Sequence, residues 1–277
     1  MFSIFTYEFM RNALIAGALA STACGIIGTF VVSKRIVFMS GGIAHSAFGG
    51  IGLGYFLGID PVLGALMFTA PVSVMLGMLS QKAKISEDSV IGIIWSMGMA
   101  LGIVFIGLSK GYAPDLNSYL FGNILLVPQT DLWIMLGLDL AIVAIVTVFF
   151  REFRSLCFDE EMSRVLGIPT GFLYILLLVM VALTVVILIR VVGIILVIAL
   201  LTIPATMARQ MTYSMPKMIL WSVALSFVFC FGGLLLSYWL DVASGATIIL
   251  LAGSVFFIFL GIKKILAKRS QPALKQQ

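Results

Sequence analysis

The sequence predicts an all-α integral membrane protein, a polytopic bundle of about nine transmembrane helices with its N-terminus outside and its C-terminus in the cytoplasm. Three observations carry this. Of the 277 residues, 61% are hydrophobic and only 10% charged, and the mean hydropathy is +1.18, far more apolar than a soluble globular domain. The apolar residues fall in segments of about 17 to 23, the length a helix needs to cross ~30 Å of hydrocarbon, without the short alternation of barrel strands. The basic residues collect on one side. With the tail (Lys263, Lys264, Lys268, Arg269, Lys275) placed in the cytoplasm, only Arg11, Lys110 and Arg190 of the 17 fall outside, as the positive-inside rule expects.

Taken in order, spans are expected at residues 11–32, 42–58, 62–80, 89–108, 131–150, 170–189, 191–208, 217–239 and 246–263. The first is read as a span and not a cleaved signal, because acidic Glu8 precedes Arg11 and no small-residue cleavage site leads into soluble sequence. Between the sixth and seventh, Arg190 alone interrupts the apolar run, so a tight external turn is expected there; eight or ten spans fit the same pattern. Residues 1–265 then form one transmembrane domain with a cytoplasmic loop at 151–169, followed by a basic cytoplasmic tail at 266–277. No internal repeat is visible, which weighs against folds built from inverted halves.

Two connections stand out. Residues 158–169 crowd acids and bases between apolar blocks, and a segment so polar must emerge into water. Asp159, Glu160 and Glu161 suit a helix N-terminus, while Gly167 and Pro169 supply a stop, so a short amphipathic surface helix is expected, a handle for a soluble partner. Outside, the connection from Ser109 to Thr130 is too apolar around Tyr119 for a free loop and too broken by Pro114, Asn117, Asn123 and Pro128 for a span. A partly re-entrant segment lining a watery vestibule and a loop lying on the bundle both fit.

Few residues are candidates for chemistry. His45 is the only histidine, set among glycines near the cytoplasmic start of the second span. An ionisable group in a span is costly, so a ligand or pathway role stands beside a plain hydrogen bond to neighbouring backbone. Asp139 lies well inside the fifth span, for a proton or cation path or a polar contact between helices. Asp60 and Asp241 fall in short external turns, which explains them. Pro204 is expected to kink the seventh span, with Thr202 and Thr206 serving the freed carbonyls. Cys24, Cys157 and Cys230 stand apart, with no spacing for a disulfide framework or a zinc cluster. The net charge of +5 is explained by topology, so no nucleic-acid partner is expected. No phosphate-cradling loop, HExxH or GxSxG occurs, so the chain is neither an enzyme nor an ATPase on its own, and any nucleotide must be bound by a separate chain.

Five stretches in this order resemble the permease subunits of zinc/manganese ABC importers, over nearly the whole chain. They are Gly42-Ile43-Ala44-His45 after Lys34-Arg35; Asp115-Leu116 with Leu120-Phe121-Gly122-Asn123; Glu161 with Gly167 six residues on; Val192-Gly193 through Leu196 to Pro204-Ala205 and Ala208; and Ala243-Ser244-Gly245-Ala246-Thr247. The resemblance implies a multi-pass permease of the cell membrane, with no covalently bound cofactor, that passes Zn²⁺ or Mn²⁺. It implies two copies of this chain around the path, a cytoplasmic ABC ATPase, an external or periplasmic metal-binding protein, and surrounding lipid. It makes His45, Asp115 and Asn123 metal contacts along the path, and Asp159, Glu160, Glu161 and Gly167 the surface on which the ATPase docks. One departure is Gly41, where many relatives carry an acid one helical turn before the histidine. An iron-chelate or cobalamin permease, and a secondary transporter driven through His45 and Asp139, are the alternatives.

Overall fold

The computed structural model describes residues 7–82, 86–109, 119, 120, 122 and 124–269. Among these the chain is helical, in the order α1 (Glu8–Lys34), α2 (Val37–Leu57), α3 (Pro61–Lys82), α4 (Glu87–Leu108), a 3₁₀ turn (Ile124–Leu126), α5 (Gln129–Val148), α6 (Phe150–Phe158), α7 (Glu160–Val165), α8 (Thr170–Val192), α9 (Ile194–Met211), α10 (Met215–Leu240) and α11 (Ser244–Arg269). Eight of these are long and apolar enough to cross a membrane. The ninth long helix, α2, has 21 residues, but its glycines, serines and His45 dilute its hydropathy. It lies sheltered between α3, α4 and α8.

The helix ends follow local chemistry. Ser86 caps α4, its hydroxyl accepting from the Ser89 amide, ahead of Glu87 and Asp88 in the first turn. The Asp60 carboxylate accepts from the amides of Val62 (2.8 Å) and Leu63 and so starts α3. Arg35 and Asp241 close α1 and α10 in the left-handed region, with φ of 64° and 53°. The turn roles expected for Asp60 and Asp241 are thus what the structure has.

The bundle is built around α1 and α8. In their most apolar windows 78% and 67% of residues are buried, against 17% for α11, whose apolar sides are left for lipid. Close approach comes from glycine. A β-carbon on Gly50 would stand 2.5 Å from the Ala65 Cα, and one on Gly98 2.7 Å from the Ser46 Cα, so α2 meets α3 and α4 backbone to backbone.

Two expectations are corrected. The reversal between the sixth and seventh spans lies at Gly193 and not at Arg190; the helix continues through Val192 and turns back at a single residue with φ 82° and ψ 158°. Only glycine reaches that conformation without strain, whereas an arginine is compatible with a helix end near a membrane surface. In α9, Thr202 does not serve the carbonyl freed by Pro204. Its hydroxyl donates to Ile198 (2.8 Å) and Ala199 (3.3 Å), because from position 202 it reaches back three or four residues, past Leu200.

Candidate functional site

The basic ends of the helices gather at one end of the bundle, around α6 and α7. Asp159 is the N-cap of α7, its Oδ1 accepting from the Met162 amide at 2.9 Å. Ser155 and Ser163 join their hydroxyls at 2.6 Å and tie α7 to α6. At the far end Gly167 adopts φ 77°, and the Ile168 amide returns to the Ser163 carbonyl at 3.0 Å, a Schellman closure. The expected surface helix is therefore present, although shorter, and preceded by a second one, α6.

The acids predicted there divide by role. The Glu160 carboxylate takes Lys34 from the end of α1 and Arg164 at 3.1 Å from its own helix. Lys34 also reaches the Leu156 carbonyl (3.4 Å) and lies 5.8 Å from the Tyr174 ring centre. Glu160 thus holds α7 to the bundle, Asp159 caps its first turn, and Glu161 is left exposed. What faces outward beside Glu161 is apolar: Phe158, Met162, Leu166 and Val165, the last 81% exposed. Two crevices flank this crest, about 420 and 670 Å³, and share Phe158 and Tyr213. Sequence reasoning read the acids as the signal and missed this apolar crest. Its trace was there, in Met162, Val165 and Leu166 at spacings of three and four. Cys157, on the inner side of α6, is held inert: burial pushes its thiol up to about 12, with Lys34 only partly opposing.

His45 lies half-buried on α2, its ring stacked on Trp95 of α4 at 3.9 Å between centres and 10° between planes. The Trp95 indole donates to the Met99 sulfur at 3.2 Å, one turn on. A β-carbon on Gly41 would come 3.9 Å from the same indole, so Trp95 covers the face that positions 41 and 45 share. His45 Nδ1 is buried with no hydrogen-bond partner among the described residues. Asp139 is likewise buried, with Oδ2 unpartnered, but it sits in α5 on the Cys24 side of α1, apart from α2. Among the described residues no three His, Cys, Asp or Glu side chains gather to hold an ion. Asp115 and Asn123 fall outside the described residues.

At the opposite end the structure joins two of the sequence stretches. Gly122, with φ 66°, sits against the α8–α9 reversal, where a β-carbon would be 2.2 Å from the Val192 carbonyl carbon and 2.4 Å from the Gly193 nitrogen. Next to it the hydroxyls of Tyr55 and Tyr119 meet at 2.7 Å, and Ile124 is buried against α1 at Gly17. Gly122, Ile124 and Val127 of the 109–130 connection are thus packed into the bundle, while Leu126 stands exposed.

Comparison with known proteins agrees with this arrangement. The ABC 3 transport family matches residues 6–263. An uncharacterized membrane protein of Synechocystis sp. is 44% identical over 93% of this chain and 92% of its own length. The manganese transport system membrane protein MntC of Halalkalibacterium halodurans is 34% identical over 91% of this chain and 87% of its own. The solved structure of PsaBC from Streptococcus pneumoniae in complex with Fab superposes with a TM-score of 0.83 at 33% identity, over 93% of this chain and 95% of that one. With its apolar spans, its glycine-packed core and its capped surface helix, the chain belongs to the ABC-3 transport family, a multi-pass permease of the cell membrane among metal importers.

Proposed function

We propose that this permease passes a divalent transition metal ion into the cytoplasm, Mn²⁺ first and Zn²⁺ second, driven by a separate ABC ATPase that docks on α6 and α7. The observation that carries the proposal is the geometry of α7: a short helix capped at both ends and pinned by Glu160 to Lys34 presents an apolar crest away from the spans. A rigid crest of this kind suits knob-into-groove contact with a soluble subunit, with Glu161 at its rim. Its placement in the cytoplasm rests on the basic residues around it. Two copies of the chain around the path, and a metal-binding protein outside, complete the proposed importer. Manganese is placed first because relatives along nearly the full length are named for manganese transport.

His45 is the proposed ion contact among the described residues, with its unpartnered Nδ1, and Asp115 and Asn123 are proposed as further contacts along the path. Sparse and weak contacts suit an ion that must leave as readily as it enters. His45→Ala is expected to lower uptake by about tenfold and Asp60→Asn by less than about twofold, since imidazole is a ligand and the turn aspartate is not. Equal effects on radiolabelled Mn²⁺ uptake would return His45 to a packing role.

The experiment that tests the function is the elemental content of cells with and without this chain under separate manganese, zinc and iron limitation. A selective fall in manganese or zinc supports the proposal. A fall in iron alone points to a chelate permease, and no fall in any metal moves the ion-driven transporter ahead of the ATP-driven importer.

A further inference from the structure

Away from the path and the α7 crest, α1 and α5 run side by side from the end of the bundle opposite α7, leaving a groove of about 300 Å³ between them. Its two walls carry matching stripes: Arg11, Ile15 and Leu19 on α1, at steps of four, and Gln129, Trp133 and Leu136 on α5. Each stripe is polar at the mouth and apolar below. From Arg11 to Leu19 the groove descends about 12 Å along the helix, close to the depth of one leaflet of a bilayer with ~30 Å of hydrocarbon. Trp133 is 73% exposed at its upper edge, where an indole marks the level of the headgroups.

The mouth is dipolar. Arg11 is exposed and makes no ion pair among the described residues. One turn further out on α1, Glu8 is also exposed, and its Oε1 is held by the Gln129 side-chain amide at 3.0 Å. The cation therefore lies at the deeper level and the carboxylate at the shallower one. A guanidinium is the preferred partner of a phosphate, which it grips with paired hydrogen bonds, and a carboxylate accepts from an ammonium. In a zwitterionic phospholipid the phosphate is the deeper group and the amine the outer one. A primary ammonium has hydrogens to give Glu8, and a quaternary one has none.

We propose that this groove is a phospholipid site selective for a phosphoethanolamine headgroup: one acyl chain lies along Ile15, Leu19 and Leu136, the phosphate rests on Arg11, and the ammonium meets Glu8. The site is independent of the ion and of the ATPase. A bound lipid ties α1, the most buried span, to α5, and its loss loosens that contact.

The test is native mass spectrometry of the full-length chain purified in detergent and titrated with phosphatidylethanolamine, phosphatidylcholine or phosphatidylglycerol of identical chains. The expected result is one retained phosphatidylethanolamine per chain, at least about fivefold over the other two, the scale of one charge-assisted contact. Arg11→Ala and Ile15→Trp each remove it, the first at the phosphate and the second by filling the groove. Glu8→Gln abolishes the preference over phosphatidylglycerol. Equal retention in wild type and in both Arg11→Ala and Ile15→Trp overturns the site. A wild-type preference for phosphatidylglycerol overturns the headgroup assignment, and conversion of a dimer to a monomer by Ile15→Trp without loss of lipid shows that a second copy occupies the groove.

Discussion

Gly122→Ala is expected to leave no monodisperse folded protein after extraction, whereas Gly58→Ala is expected to purify normally. Both glycines have positive φ, 66° and 69°, so both variants pay about 1–2 kcal/mol for a left-handed non-glycine residue. Their surroundings differ. A β-carbon at position 58 meets nothing within 4 Å among the described residues, while at position 122 it would lie 2.2 Å from the Val192 carbonyl carbon. The atom it strikes is backbone at the one-residue reversal between α8 and α9, so no rotamer change relieves the contact. Either Gly122 and the turn at 124–127 leave their seat or α8 and α9 shift, and α8 is among the most buried spans. Either displacement exceeds the conformational cost severalfold, in a protein whose whole stability is about 5–15 kcal/mol. The check is thermal unfolding followed by size-exclusion chromatography of both variants. A midpoint for Gly122→Ala no lower than that of Gly58→Ala would refute the packing argument.

Gly167→Val is expected to cut metal uptake by at least about tenfold without loss of membrane insertion, and Gly167→Asn to keep most of it. The φ of 77° at Gly167 closes the last turn of α7, and a β-branched residue there is strained while asparagine tolerates the left-handed region. Nothing among the described residues lies within 4 Å of a β-carbon at this position, so the loss comes from unwinding the cap and not from a clash with them. With the cap undone, the Ile168 amide no longer holds the Ser163 carbonyl, and the crest of Met162, Val165 and Leu166 loses its fixed outline. Uptake and co-purification of the ATPase, measured for both variants, decide the matter. If asparagine is as damaging as valine, the space beside Gly167 is itself a contact surface, and bulk there blocks docking directly.

These two positions show how unevenly the sequence speaks. The acids of Asp159, Glu160 and Glu161 and the stop at Gly167 announce a short helix because capping depends on residues three or four apart, and the structure has that helix. The division of labour among the acids was not legible. Glu160 is claimed by Lys34, 126 residues away, and nothing local distinguishes it from Glu161. The apolar crest is hidden for the same reason: Phe158, Met162, Val165 and Leu166, scattered among Asp159, Glu160, Glu161 and Arg164, look like part of a polar loop until the helix turns them to one side.

His45 shows the same limit from the other direction. Its rarity and its setting in a span mark it as a candidate, since an imidazole in hydrocarbon demands a reason. That Trp95 lies flat on it, over the bare face of Gly41, depends on α2 and α4 approaching through Ser46 and Gly98. The misplaced turn at Arg190 has a similar cause. Charge at Arg190 suggests the boundary, but a hairpin of two apolar helices needs a residue free to adopt φ 82°, and that is Gly193.

By itself, the sequence determined the solvent, the apolar spans and most of their ends, because hydropathy, capping and glycine conformations act within a turn or two of chain. It also set which ends of the helices share a side, through the placement of lysine and arginine. Only the tertiary structure decided which groups meet: Lys34 with Glu160, Trp95 with His45, Gly122 with the Val192–Gly193 turn, and α1 with α5 around the groove below Arg11. Those contacts join residues far apart in the chain, and their geometry follows from how closely glycine lets whole helices approach.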